Sequence, residues 1–578
     1  MKNKRAFRFW ELGLTLLWGL WMQNTAGEFS AYLAVLCLGL FSWTYLGHTR
    51  PQMPNGRLIN GFTALLTACV VLGNISRILW PWPYFLSMNL TRLFGLALVT
   101  AGSWITFRNI FLALFALSEQ GGGKEKKPGK KDGAKVFFAV WLLLLAGYSL
   151  VLWLAFYPGI LSVDNINQLK EITGINAPSN TNPFYHTQLI GLIYRLGLAL
   201  TGDMSMGVAF YSQFSVTVMS ACFAYGVYVL WQETRCKWAS VLLAAFYLVS
   251  PMFFMYSFTM WKDVLFSGAV MTFALAMYRT VRGAKGAAPL GGFSALAMCL
   301  MRVNGVLDLA VVLLFGLLLV GKDQKKLLLS LSGVAVLGYI LVFPLLSCFG
   351  IEKSGSLEPL SVPLQQIGYL ISEDYSLSQE DRDLLGQVVD LEEAAEAYKS
   401  FSVDPLKQLI LQKGNAEALQ SNWLQYLRLY FRLGLRYPLA YLQAWSEQTK
   451  GYWEGGHAYD RWNIKIDGNP WGLSVEPKVS RLQSLVIQYL NVWESSYLTR
   501  LPLCLGLYFW ACLGCLFVGR VQKDPAMTLA ALPFLAVVVL LAVGTPVFAE
   551  FRYGFPLVCG VPVLLLLTVC RLGKSGNP

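Results

Sequence analysis

The sequence predicts an all-α, polytopic membrane protein, and three observations carry that reading. Hydrophobic residues make up 55% of the 578-residue chain and charged residues only 14%, with a mean hydropathy of +0.49. Water-soluble domains do not have that composition. Apolar runs near the bilayer-spanning length of about twenty residues recur along the chain. Clusters of Lys and Arg separate these runs, at a spacing that puts every cluster on one side of a membrane.

Taken in order, the runs predict about fourteen spans. The first four are Phe9–Met22, Ser30–Gly47, Ile59–Leu79 and Thr91–Leu117, a membrane module over residues 1–118. The first has no small-residue cleavage site and is followed by another span, so it reads as an anchor rather than a signal peptide. Residues 119–135, EQGGGKEKKPGKKDGAK, form a flexible basic linker. A second module, 136–348, holds Val136–Phe156, Met206–Trp231, Ala239–Phe258, Val264–Tyr278, Pro289–Met301, Gly305–Val320 and Leu327–Ser347, with a first external loop at 157–205. After a long polar interruption, Leu501–Val518, Ala526–Val543 and Phe555–Arg571 close the chain as helices of region 501–578.

Positive clusters at Lys2–Arg8, Arg50–Arg57, Lys124–Lys135, Arg279–Lys285, Lys322–Lys326, Arg520–Lys523 and Arg571–Lys574 orient these spans. The positive-inside rule makes their side cytoplasmic, with both termini inside. The formal charge of +13 then needs no nucleic acid, because cytoplasmic loops facing anionic lipid account for it. The polar interruption, 349–500, carries 19 of the 33 acids and is net negative, while the rest of the chain is strongly positive. Ser378-Gln-Glu-Asp381 reads as a capping-box variant and Asp404-Pro405 as an N-cap with proline at N1, which predicts an external, mainly helical domain.

Candidate chemistry concentrates at the predicted external edges. The loop YPGILSVDNINQ holds a lone acid, Asp164, just beyond a long apolar span, and ionisable residues beside hydrocarbon tend to mark functional sites. Pro158-Gly159 stops the preceding helix, and Ser162 can cap a new one with Asp164 in its first turn. Lys262 and Asp263 close one span, Arg302 and Asn304 interrupt another, and Glu550 and Arg552 precede the last. One account of these residues is a Lys262–Asp263 pair with arginines snorkelling to head groups; the other is a cationic phosphate site beside a base. His186 in NPFYHTQL either satisfies a helix N-terminus or makes a hydrogen-bond or metal contact near Asp164. One His and one Asp do not define a metal site, so the metal is unknown and a divalent cation stays open as cofactor. Cys512 and Cys515 lie inside an apolar span and read as packing thiols, and no Walker A loop or Rossmann fingerprint is present.

The motifs YPGILSVDNINQ, NPFYHTQLIGLIY, YSFTMWKDVLFS, CLMRVNGV, VPLQQIGYLI and FRYGFPL resemble an uncharacterised family of bacterial polytopic membrane proteins similar to GT-C-type glycosyltransferases. The resemblance runs from Val136 to Arg571. It implies a GT-C-like fold in the bacterial cell membrane and a polyprenyl-phosphate-linked sugar donor. The acceptor would be a cell-surface glycan, lipid or protein. It places Asp164 where such enzymes carry an essential acid, although the usual paired acids are replaced here by Val163 and Asn165 around it. Asp164 is then the general base of an inverting transfer, with Lys262, Arg302 and Arg552 on the donor phosphate and Gln168, His186, Asp263, Asn304 and Glu550 as further site candidates. Trp453 and Trp462, in an aromatic-rich stretch, are candidates for the acceptor's sugar faces, against the alternative of a core or interfacial belt. A flippase or transporter of lipid-linked glycans is the alternative function, less suited to charges confined to one face.

Overall fold

A computed structural model describes residues 9–25, 31–49, 56–76, 90–120, 133–351, 355, 357–459 and 462–572. Most of the predicted basic linker, the positive runs at 2–8 and 50–55, and both termini lie outside these residues. Among the described residues the chain is all-helical, and its only extended pairings are isolated bridges.

The four N-terminal helices are α1 (Phe9–Thr25), α2 (Tyr32–His48), α3 (Gly56–Gly73) and α4 (Leu90–Gln120). Next come α5 (Gly133–Ala155), α6 (Val163–Ile172), α7 (Phe184–Thr201), α8 (Met204–Thr234), α9 (Lys237–Val249), α10 (Pro251–Ser257) and α11 (Lys262–Val281). Then follow α12 (Ala287–Met301), α13 (Gly305–Leu319) and α14 (Lys322–Ile340). Among the described residues eight helices are long and apolar enough to cross a membrane, or ten if the bent pairs at 237–257 and 497–521 each make one span. The remaining apolar runs form shorter helices, of 17 residues in α1 and α2 and 15 in α12 and α13.

The polar region folds as α15 (Ser361–Ser372), α16 (Gln379–Gly386), α17 (Leu391–Ala397), α18 (Asp404–Gln412), α19 (Ala416–Ser421), α20 (Trp423–Arg436) and α21 (Pro438–Thr449). Ser378 caps α16 by accepting from the Asp381 N–H at 3.2 Å, whereas α18 begins one residue earlier than expected, with Val403 as its cap. An irregular stretch leads to α22 (Ser480–Ser495) and α23 (Tyr497–Arg500). The chain ends on α24 (Leu505–Val521), α25 (Pro525–Gly544) and α26 (Phe551–Leu572).

Helices that are apolar all round must be covered by protein or by lipid, and burial separates the two cases. In α11, α25 and α26, 72% of the apolar window is buried within the protein, against 17% in α5. The first three therefore form the centre, packed on one another, with α8 against α11 and α26. Gly560 on α26 lets the Phe534 ring of α25 come so close that a Cβ would lie 2.1 Å from it. One core runs through the whole bundle and includes the N-terminal module: Phe111 of α4 packs on Phe517 of α24 with ring centroids 4.8 Å apart. Region 349–500 contributes to three cores, Leu473 joining a small one around Leu161, Ile166 and Ile190. Residues from Leu357 to Ala444 build their own, while Tyr452, Trp453, Leu490 and Trp493 belong to the bundle.

Two polar clusters mark opposite ends of the central helices. Arg282, Arg571 and the α25 cap Asp524 meet at one end, with both arginines 2.6 Å from Asp524. Three of the positive runs thereby share an end. The first residues of α11 and α26 lie at the other.

A candidate functional site at the ends of α6, α11 and α26

The chain leaves α5 through Gly159, whose φ of 134° belongs to glycine and whose Cβ, if present, would stand 2.1 Å from Ser212 Oγ. Ile160 then pairs with the turn before α11, its N–H donating to the Phe258 carbonyl at 3.2 Å and its carbonyl accepting from Met260. Ser162 caps α6, and the Asn165 carboxamide accepts the Ser162 N–H at 3.0 Å while donating to the Met260 carbonyl at 2.8 Å. Trp261 Nε1 donates to Ser162 Oγ at 2.7 Å, and Asp467 accepts the Val163 N–H at 3.1 Å. Each of these bonds fixes the first turn of α6, which carries Asp164.

Asp164 meets cations from two central helices. Arg552 donates to its Oδ2 at 2.9 Å, and Lys262 Nζ lies 3.8 Å from the same oxygen. Lys262 also donates to Asn182 Oδ1 at 2.8 Å. Glu550 holds the other side of Arg552, 3.5 Å from its Nε. The Arg552 guanidinium lies 5.2 Å from the Trp261 ring centroid and 5.1 Å from that of Tyr553. Arg302 lies over the same Tyr553 ring, at 5.1 Å, and pairs with Asp263 at 3.1 Å. Three acids and three cations thus converge.

Burial sorts them. Asp263 is 1% exposed, so Arg302 is the counter-ion of a buried carboxylate. Of the two accounts of the edge charges, pairing within the protein describes Arg302, though its partner is Asp263. Asp164 remains 38% exposed. Burial raises its pKa, but the charges of Lys262 and Arg552 outweigh that and hold the carboxyl below its ordinary value. Glu550 moves the opposite way: burial raises it, Arg552 opposes, and the nearby Asp263 and Asp164 charges add to the rise.

The other candidates sort by contact. His186 is fully buried, with Nδ1 3.0 Å from Gln168 Nε2 and Nε2 2.7 Å from the Tyr211 hydroxyl. Both ring nitrogens are engaged, which rules out the metal contact. Burial, helped by the Lys262 charge, pushes its pKa down to about 3 and keeps it neutral. Gln168 also donates to Thr187 Oγ1 at 2.9 Å, so the Gln168–His186 pair ties α6 to α7 behind Asp164. Asn304 is exposed at the start of α13, and no hydrogen bond joins its side chain to the cluster. Trp453 is a core residue, 4% exposed and stacked on Trp445 at 5.3 Å, so it has no face to offer a sugar. Trp462 is half-buried against the bundle core and touches Tyr459, which packs on Phe551 next to Arg552. Among the described residues no three His, Cys, Asp or Glu side chains are grouped to hold a metal ion.

Sequence reasoning missed Asn182, Trp261, Tyr553 and Asp467. The first three lie inside motifs already singled out, Trp261 and Tyr553 next to residues chosen for their charge and Asn182 at the head of NPFYHTQL. Asp467 sits in a DGNP turn 304 positions from the N–H it caps, and no local signal could link the two.

No curated protein and no solved structure matches the chain. A family profile matches residues 173–576, which takes in Lys262, Asp263, Arg302, Glu550 and Arg552 and begins shortly after Asp164. The chain therefore belongs to the family described as Family of unknown function (DUF6020).

Proposed function

We propose that this protein is a GT-C-like membrane glycosyltransferase with about fourteen spans, several of them short. It moves a sugar from a polyprenyl-phosphate-linked donor to a glycan, lipid or protein acceptor at the outer face of the bacterial cell membrane, with both termini cytoplasmic. The observation that carries the reading is the half-open carboxylate of Asp164. Its Oδ2 takes both cations, and no hydrogen bond or ion pair among the described residues engages its Oδ1.

In this reading the acceptor hydroxyl gives its proton to Asp164 Oδ1 as its oxygen bonds to the anomeric carbon. The bond from that carbon to the phosphate oxygen breaks, and polyprenyl phosphate leaves with the electron pair. Lys262 and Arg552 receive the charge that develops on the phosphate. The same two cations make free Asp164 a weak base. Donor phosphate competes for them, and as Arg552 turns from Asp164 the carboxylate recovers basicity with the donor in place. Glu550 and the Arg302–Asp263 pair position Arg552 and the Tyr553 ring.

With Trp453 buried, the acceptor side is assigned to a polar cavity of about 220 Å³ lined by Phe401, Glu447, Lys450, Glu454, His457 and Phe548. The 545–550 turn separates it from the charge cluster, for Phe548 lines the cavity and Glu550 contacts Arg552. The test is incubation of purified protein with a panel of polyprenyl-phosphate sugars, reading release of polyprenyl phosphate. Release from one donor, lost in Asp164→Asn, supports the proposal. No release from any donor in the presence of envelope acceptors overturns it.

A further inference from the structure

Helix α20, WLQYLRLYFRLGLR, has two apolar faces, and only one of them is covered. Tyr426, Leu429 and Leu433 are buried in the extramembrane core. Trp423, Leu424, Leu427, Phe431 and Leu435 are exposed, from 41% at Leu427 to 84% at Leu435. At about 100° per residue these five fall within a stripe about 120° wide. Arg428, Arg432 and Arg436 follow in order along one edge of it, and all three are exposed. Arg432 pairs with Asp381, Arg436 lies over Tyr437, and no ion pair or ring contact joins Arg428 to another of the described residues. The helix holds no acid, although region 349–500 has more acids than bases.

We propose that α20 is an interfacial anchor. Its stripe enters the headgroup–acyl boundary of the leaflet beside the bundle, and its arginines hold the phosphates of anionic phospholipid. An exposed Trp, Phe and Leu face edged by arginine is the pattern of helices that lie in the membrane surface, and guanidinium matches phosphate in geometry as well as charge. The leaflet is within reach because the region is tied to the bundle before α20, where the Val403 N–H donates to the Pro546 carbonyl at 3.0 Å, and again after it. Ser446 of α21 donates to the Leu72 carbonyl of α3 at 2.7 Å, and α22 packs on α5, whose surface is mostly left for lipid. A second copy docked through this stripe would bring the same three arginines of both chains to one seam, where like charges oppose association.

The anchor has a consequence for the charge cluster whatever its chemistry. α20 leads directly into α21, and Tyr452 just beyond accepts the Glu550 N–H at 3.1 Å. Seating α20 in the leaflet therefore sets the height of the polar region over the cluster.

The test uses the full chain in nanodiscs, with exposed Cys37 and Cys348 replaced by serine and a bimane probe on Leu435→Cys. With phosphatidylglycerol carrying brominated acyl chains, the probe should shift to the blue and lose emission several-fold. The loss should be weaker in brominated phosphatidylcholine and weaker again in phosphatidylglycerol after Arg428→Glu. A probe on Glu380→Cys, exposed on α16, should stay unquenched. No quenching at Leu435→Cys in either lipid overturns the anchor, as does a blue shift without quenching, which would report a protein cover such as a second copy. Equal quenching in both lipids, indifferent to Arg428→Glu, overturns the phosphate contact. Should Leu435→Cys fail to purify as a single species, Phe431→Cys carries the same test.

Discussion

Asp164 is gripped by one oxygen and open at the other, and this division makes its variants informative. Asp164→Asn keeps the size of the side chain and leaves the α6 cap of Ser162, Asn165 and Asp467 in place. The protein should fold, bind donor and lose about 10²–10⁴-fold in turnover. Wild-type turnover in the purified Asn variant would reduce Asp164 to a partner of Arg552. The ion pair also predicts a pH dependence. A carboxyl held below its ordinary pKa stabilises the fold above that value and loses the contribution as pH falls through the folded one. The melting temperature of wild type should exceed that of Asp164→Asn at neutral pH, and the gap should close in acid. A gap that grows in acid would reverse the assigned direction. At the neighbouring pair, Arg302→Ala leaves Asp263 buried without its counter-ion, which costs about 3–5 kcal/mol. Arg302→Met with Asp263→Leu removes both charges and should recover most of the loss, measured by thermal unfolding in detergent. A double variant no better than the single would mean that Arg302 contributes by stacking on Tyr553 and Phe266.

Among the elements, α6 depends most on its surroundings. It is ten residues long, too short to hold itself together in water, so its place is set by the turn before it and by bonds from distant segments. Gly159→Ala places a Cβ against Ser212 Oγ and the Phe258 carbonyl in a backbone region that L residues avoid. The expected cost is about 1–3 kcal/mol, with Asp164 displaced and turnover lowered more than donor affinity. Ser212→Ala in the same background relieves the contact but not the backbone strain, so rescue should be partial; complete rescue would show that the steric contact alone had mattered.

For the whole molecule, the orientation proposed from charge counting has a direct measurement. A cysteine at Glu380→Cys, in a region that has none of its own between 349 and 500, should react with an impermeant reagent in intact cells. Reaction only after lysis would place the polar region inside and overturn the outer-leaflet chemistry with it. By itself the sequence determined what depends on local composition and periodicity. Apolar runs marked the helices, the Pro-Gly break and Ser162 located α6, and single charges at the span edges picked out Asp164, Lys262, Asp263, Glu550 and Arg552. These signals are legible because hydrocarbon excludes unpaired polar groups, so each exception stands out. Only the tertiary structure decided which charges are spent on one another. Arg302 and Asp263 are 39 positions apart, and Asp164 and Arg552 are 388 apart. Burial, which no local pattern encodes, turned the first pair into structure and left the second half open. The same holds for aromatics: Trp453 and Trp462 look alike in sequence, and packing alone put one in the core and the other beside the neighbours of Arg552.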